Sequence, residues 1–115
     1  MLSSGDVVDV DLGLPLGREA GFPHPVVIVT AQRILDETPT VVQVVPLTST
    51  IRRHGSEVVI EPDVANGLEQ RSAAQCQHIR AVSPARLGAA RGSVGAVPLA
   101  QVREVLALLL DLPAA

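Results

Sequence analysis

The 115-residue chain has no tryptophan, no tyrosine and no lysine, a single cysteine, and one aromatic residue, Phe22. With so few rings the interior must be aliphatic, and a hydrophobic content of 47% supplies the Val, Leu, Ile and Ala to build it. The same shortage argues against nucleic-acid binding by stacking bases on a Phe/Tyr platform, so any such contact rests on arginine, hydroxyls and backbone. A lone Cys76 forms no intrachain disulfide and calls for no oxidising compartment. The start Met1-Leu2-Ser3-Ser4-Gly5-Asp6 lacks the basic and apolar regions of a signal peptide, and the apolar stretch Val105–Leu110 is far too short to span a bilayer. A cytoplasmic protein with no membrane partner is expected. Without lysine, all nine cations are arginines; twelve acidic residues bring the net charge to -3. That balance lacks the basic footprint of a non-specific polyanion binder, yet leaves every positive charge as a planar fork suited to phosphate or carboxylate.

The length fits one domain with a modest core, taken as residues 1–115. Gly5–Leu12 alternates loosely and reads as a first strand. Gly13–Pro25, dense in proline and glycine, reads as a loop, and loops of this length in a compact domain are usually functional or disordered. Val26–Thr30 reads as a buried central strand, Gln32–Pro39 as a turn with one short helical turn, and Val41–Leu47 as the next strand. Arg52–Ser56 looks like a hairpin loop before a strand at Glu57–Ile60. Glu61–Gln70, with Pro62 and Asn66-Gly67, is a connection. Arg71–Val82 reads as one or two bent strands, on which Cys76 and His78 would share a face by the period of two. Ser83-Pro84 matches an N-cap with proline at the first helical position, opening a short turn through Leu87. Gly92–Val94 reads as a last short strand. Pro98–Leu112 is the one convincing helix: Leu99, Val102, Leu106, Leu109 and Leu110 form an apolar stripe, and Pro113 is expected to stop it. The sum is a mainly β fold with a C-terminal helix, five to seven short strands in a rolled antiparallel sheet.

The stretch that concentrates chemistry is Val41–Thr50, a β-forming run that ends in Thr48-Ser49-Thr50 and is followed by Ile51-Arg52-Arg53. Three hydroxyls and two guanidiniums there can hold a phosphate, although Ser/Thr at a strand end also simply begin turns. His24, His54, His78 and Cys76 show no zinc-finger spacing, and no HExxH or CxxC occurs, so no metal site is expected. Glycine spacing matches neither phosphate-loop type, and there is no GxSxG elbow. What remains is a set on separate loops: Arg18, Glu19, His24, Thr48, Ser49, Thr50, Arg52, Arg53, His78 and Arg80. These types suffice for RNA cleavage without a metal or other cofactor. A base takes the ribose 2′-OH proton, an acid protonates the leaving 5′-oxygen, and donors stabilise the phosphorane. Histidine can fill either role near neutral pH.

The chain resembles the MazF/PemK/Kid-type toxins of bacterial toxin–antitoxin systems over nearly its whole length. The resemblance is carried by Gly5-Asp6-Val7-Val8 with Asp11-Leu12, Gly17-Arg18-Glu19, His24-Pro25-Val26-Val27-Ile28-Val29, Val44-Val45-Pro46-Leu47-Thr48-Ser49, Gln77-His78-Ile79-Arg80 with Val82, Arg86-Leu87-Gly88 and the C-terminal helix. It implies an SH3-like barrel that forms a homodimer and cleaves single-stranded RNA, with mRNA the expected target, in a sequence-selective, metal-independent way. It also implies inhibition by a cognate antitoxin with an acidic C-terminal segment. Carried over by position, Thr48 and Ser49 match the phosphate-contacting hydroxyls, Glu19 the acidic residue of the first loop, and Arg80 the closing arginine of its motif. Two positions depart: His24-Pro25 stands where an Arg-Pro pair is common, and Gln77-His78 where an acidic residue and glutamine are common. The expected catalytic set is His24, Thr48 and Glu19. The expected RNA contacts are Arg18, Ser49, Thr50, Arg52, Arg53, Gln77, His78 and Arg80, with His78 also a candidate second acid/base.

Two other functions compete. A non-enzymatic toxin of this fold that inhibits DNA gyrase would lack the loop-one Glu, the His/Arg-Pro and the Leu-Thr-Ser, and would end in an aromatic-containing tail. This chain ends Leu112-Pro113-Ala114-Ala115. An inactive RNA- or antitoxin-binding remnant is the third.

Overall fold

Valine sets the architecture. Its β-branched side chain stiffens the backbone into extended form and fills a pleated, buried surface. The computed structural model describes residues 1–11 and 23–113, in which valine-rich segments form most of seven strands: β1 (Asp6–Asp11), β2 (Pro23–Ile28), β3 (Val42–Thr48), β4 (Glu57–Ile60), β5 (Ser72–Gln75), β6 (Arg80–Val82) and β7 (Leu87–Ser93). A one-turn helix α1 (Gln32–Leu35) links β2 to β3, 3₁₀ turns cover Cys76–His78 and Pro84–Arg86, and α2 (Ala96–Leu109) follows β7. The sheet runs β4-β5-β3-β2-β1-β7, with β6 also on β3, and the pairings are antiparallel. Residues 12–22, on which most of the expected first loop falls together with Arg18 and Glu19, lie outside the described residues.

Both faces of this rolled sheet are buried. One carries Val7, Val27, Val45, Leu47 and Ala74, closed by Leu99, Val102 and Leu106 of α2. The other carries Val8, Val10, Val26, Ile28, Val42, Val44 and Val82, closed by Leu35. Among the described residues, neither cluster holds a Phe, Trp or Tyr. The expected β fold with a terminal helix is thus the observed one, and the Ser83 cap is too: its Oγ accepts from the Ala85 amide.

Strand β3 organises the rest. Val29 N donates to Gln43 O, so odd-numbered residues of β3 turn their amide groups toward β2 and even-numbered ones toward the opposite edge. On that edge β6 pairs with Val42–Val44 and β5 with Leu47–Thr48, and the 3₁₀ turn Cys76–His78 interrupts the ladder between them. Pro46, buried in the middle of a strand, has no N–H to give this edge, and the interruption lies beside it.

Several expectations are corrected. Arg52–Ser56 is no hairpin loop, because β5 lies between β3 and β4, with Ala74 paired to both Leu47 and Val58. The segment turns outward instead: Arg53 has φ 59°, and the amides of Arg52 and His54 donate to Glu57 Oε1 at 3.0 and 3.3 Å. Cys76 and His78 do not share a strand face. They sit on the 3₁₀ turn, where Cys76 is buried and His78 exposed. The last strand is longer than Gly92–Val94, spanning Leu87–Ser93, and β2 begins at Pro23, which takes His24 out of the loop. The helix runs Ala96–Leu109, and its stripe buries Leu99, Val102 and Leu106 but leaves Leu109 and Leu110 exposed. Pro113 does not end it. Asp111, at φ 54°, allows Asp111 N to bond Leu108 O and Leu112 N to bond Ala107 O, a Schellman closure.

Candidate active site

His24 is placed by the register of β2. It pairs with Val10 of β1, while the β2–β3 register ends two residues further on, at Val26↔Pro46. The His24 imidazole hydrogen-bonds the Leu47 backbone, and both residues line one pocket. Its Nε2 is buried and has no hydrogen-bond partner. Burial pushes the imidazole's pKa below its ordinary value; the Leu47 hydrogen bond and the Asp9 carboxylate oppose that shift less strongly. At neutral pH the ring is therefore unprotonated and able to accept a proton, and an orphaned buried nitrogen is a group that a substrate can satisfy.

Thr48 ends β3 half-buried, followed by exposed Ser49 and Thr50. Thr48 Oγ1 accepts from Thr50 N at 3.1 Å. The hydroxyl run is thus a turn after all, and the turn uses Thr48 only as an acceptor, leaving its O–H to donate elsewhere. A pocket of about 200 Å³ opens beside this strand end, lined by His24, Pro25, Leu47, Ser49, Leu68, Glu69, Gln70, Ser72 and Arg91.

Of these, Glu69, Gln70, Ser72 and Arg91 were not anticipated from the sequence, and neither was Asp9. Arg91 Nε donates to Asp9 Oδ1 at 2.9 Å in a pair about 70% withdrawn from solvent. The cause is a β-bulge: Val7 pairs with Gly92 but Val8 with Ala90, so Arg91 is an extra residue on β7, re-aimed toward β1. Residues 61–71 are fastened onto this bulge. Buried Asn66 accepts from the amides of Asp63 and Leu68 and donates to Glu61 O, and Ser93 N donates to Ala65 O at 2.8 Å. Backbones meet so closely that a Cβ on Gly67 would lie 2.4 Å from Arg91 O, and one on Gly92 2.0 Å from Ala65 O. Asn66-Gly67 and Gly92 were the visible signals, but a sequence does not say that the two segments meet.

The other expected residues lie apart. Arg80 pairs with Val44, four residues along β3 from Thr48, or about 13 Å at the usual strand rise. It is exposed, as are Gln77, His78, Arg52 and Arg53. Among the described residues no group of three His, Cys, Asp or Glu side chains is gathered as a metal ion would require, and no helix is long and apolar enough to cross a membrane.

Residues 3–110 match the model of the PemK-like, MazF-like toxin of type II toxin–antitoxin system family. The chain is similar to Endoribonuclease MazF9 of Mycobacterium tuberculosis, 36% identical over 117 aligned positions that cover 97% of this chain and 98% of that protein. Among solved structures it is similar to Mycobacterium tuberculosis toxin MazF-mt6, with TM-score 0.77, 25% identity and coverage of 95% of this chain and 99% of that one. It shares the fold of a mycobacterial endoribonuclease solved in complex with its cognate antitoxin, with TM-score 0.80, 23% identity and full coverage of both chains. None of these relatives favours the gyrase reading. With a family model matching residues 3–110 and a relative 36% identical over almost the whole of both chains, this chain is a member of the PemK-like, MazF-like toxins of type II toxin–antitoxin systems.

Proposed function

We propose that this chain is the toxin of a type II toxin–antitoxin system, an endoribonuclease that cleaves single-stranded RNA, with mRNA the target whose loss would halt translation and growth. The observation that carries the reaction is the buried, unpartnered Nε2 of His24, which lines one pocket with Ser49 at the hydroxyl-bearing end of β3 in a MazF-type fold. His24, neutral at pH 7, takes the 2′-OH proton; the hydroxyls of Thr48 and Ser49 donate to the phosphorane oxygens. Glu19 and Arg18 of the first loop, with Thr50, complete the set around the phosphate. Arg52, Arg53, Gln77, His78 and Arg80 form the outer track that holds the RNA strand. The attacking 2′-oxygen displaces the 5′-oxygen, which takes its proton from water, leaving a 2′,3′-cyclic phosphate and a 5′-hydroxyl end; base, donors and charge come from these side chains, so the reaction is metal-independent.

The toxin domain spans residues 1–115 and works in the cytoplasm as a homodimer. Exposed Leu108, Leu109, Leu110 and Leu112 at the end of α2 support a protein-covered surface there. The acidic C-terminal segment of an antitoxin competes with RNA for the arginine track. The test is to incubate the protein with mixed RNA in EDTA and map the new ends. Cleavage leaving 5′-hydroxyl ends is expected, and its suppression by the neighbouring gene's acidic product. Intact RNA would overturn the reading.

A further inference from the structure

The pocket beside His24 has a composition that its position alone does not explain. A site for a second phosphate would be cationic, but here the Arg91 guanidinium is already offset by Asp9 at 2.9 Å, and Glu69 adds a carboxylate to the lining. That balance disfavours an anion and suits a neutral, flat group with donors and acceptors along its edge. The walls are fixed: the bulge aims Arg91, Asp9 holds its Nε, and the Asn66 network with the Gly67 and Gly92 contacts pins residues 61–71 against β7. Ser72 Oγ, buried, donates to Gln70 O at 2.9 Å and fixes the backbone from which Glu69 and Gln70 project.

We propose that this pocket seats one nucleobase next to the cut phosphodiester, with the Asp9-held guanidinium of Arg91 as its stacking surface and Glu69 and Gln70 reading its edge. Single-stranded RNA is recognised by splaying bases onto flat side chains, and guanidinium planes serve where rings are absent. The described residues include no Phe, Trp or Tyr, so an arginine held by a carboxylate is the flat platform that they offer. Carboxylates accept from base amino groups, and glutamine pairs with an adenine edge in two-bond fashion. Because His24 lines the same pocket, the base seated there adjoins the reacting phosphate. The inference rests on the RNA-cleavage reading and deepens it.

The test is 5′-end mapping of a randomised RNA pool cleaved in EDTA by the wild type, Glu69→Gln, Gln70→Ala and Arg91→Lys. Glu69 and Gln70 are exposed, so their variants keep the fold, which circular dichroism checks. The expected result is that Glu69→Gln and Gln70→Ala change base preference at one shared position flanking the cut, by at least about fivefold, the low end for an edge-reading contact. Arg91→Lys, which keeps the charge but not the plane, should raise KM without rescue of that preference. Unchanged preference at every flanking position would overturn the proposal. If the wild type cleaves nothing, the nuclease reading fails. The pocket is then judged by binding of short 2′-O-methyl oligonucleotides that differ at one base. Affinity that varies with the base and flattens in Glu69→Gln supports it, and base-indifferent affinity overturns it.

Discussion

His24 and His78 both stand at positions where the family resemblance places active-site chemistry, yet the fold treats them differently. His24 lies within the sheet, bonded to the Leu47 backbone, its Nε2 buried and unmatched and its pKa lowered by burial. His78 lies exposed on a 3₁₀ turn. A ring that loses solvent without gaining a full set of partners is primed for a substrate, whereas an exposed ring keeps its water and loses little when the substrate leaves. In the proposed reading the strand end therefore concentrates the chemistry, and the Gln77–Arg80 segment holds the RNA strand.

Substitutions separate the two regions. His24→Ala should show the largest effect, about a hundredfold loss of kcat in single-turnover cleavage, the low side of acid–base contributions. A loss no greater than that of His78→Ala would erase the contrast. Thr48→Val, which keeps volume but removes the hydroxyl, should cost about tenfold, less than a fully buried oxyanion donor because Thr48 is half-exposed. His78→Ala and Arg80→Ala should each change kcat/KM by only about threefold, chiefly in KM and more at low salt than at high, as expected for exposed phosphate contacts that salt screens.

A smaller effect reads the burial of His24 directly. Its pKa is lowered on folding, so below the ordinary value of 6.5 the unfolded chain binds the proton that the folded chain refuses. Folding stability is then fully present above that pH and declines as pH falls toward the folded value. Urea melts across this range should show that decline in the wild type and a shallower one in His24→Gln.

Much of this was legible in the sequence, for local reasons. Valine runs gave the strands, Ser83-Pro84 gave a capped turn, and the leucine spacing gave α2. The missing parts depend on contacts between distant segments. Nothing within Arg52–Ser56 reveals that β5 will insert between β3 and β4. Cys76 and His78 looked like alternate residues of one strand, because a 3₁₀ turn of three residues leaves no periodic mark. It is the turn that buries Cys76 and pushes its thiol pKa up to about 11 while leaving His78 in water. Arg91 was invisible as a site residue, since a bulge is a mismatch between two strands and neither strand records it alone. Asp11-Leu12 and Gly17-Arg18-Glu19 were legible as motifs, but only the first of these residues is among those described.

The most direct test is the pH dependence of single-turnover RNA cleavage in EDTA, measured for the wild type and His24→Ala under conditions where both are folded. With His24 as the base, the wild-type rate should fall on the acid side with a midpoint below 6.5, the ordinary value that burial lowers, and His24→Ala should be slower and lack that limb. Superimposable profiles of equal height would contradict the assignment of His24 as the reacting group.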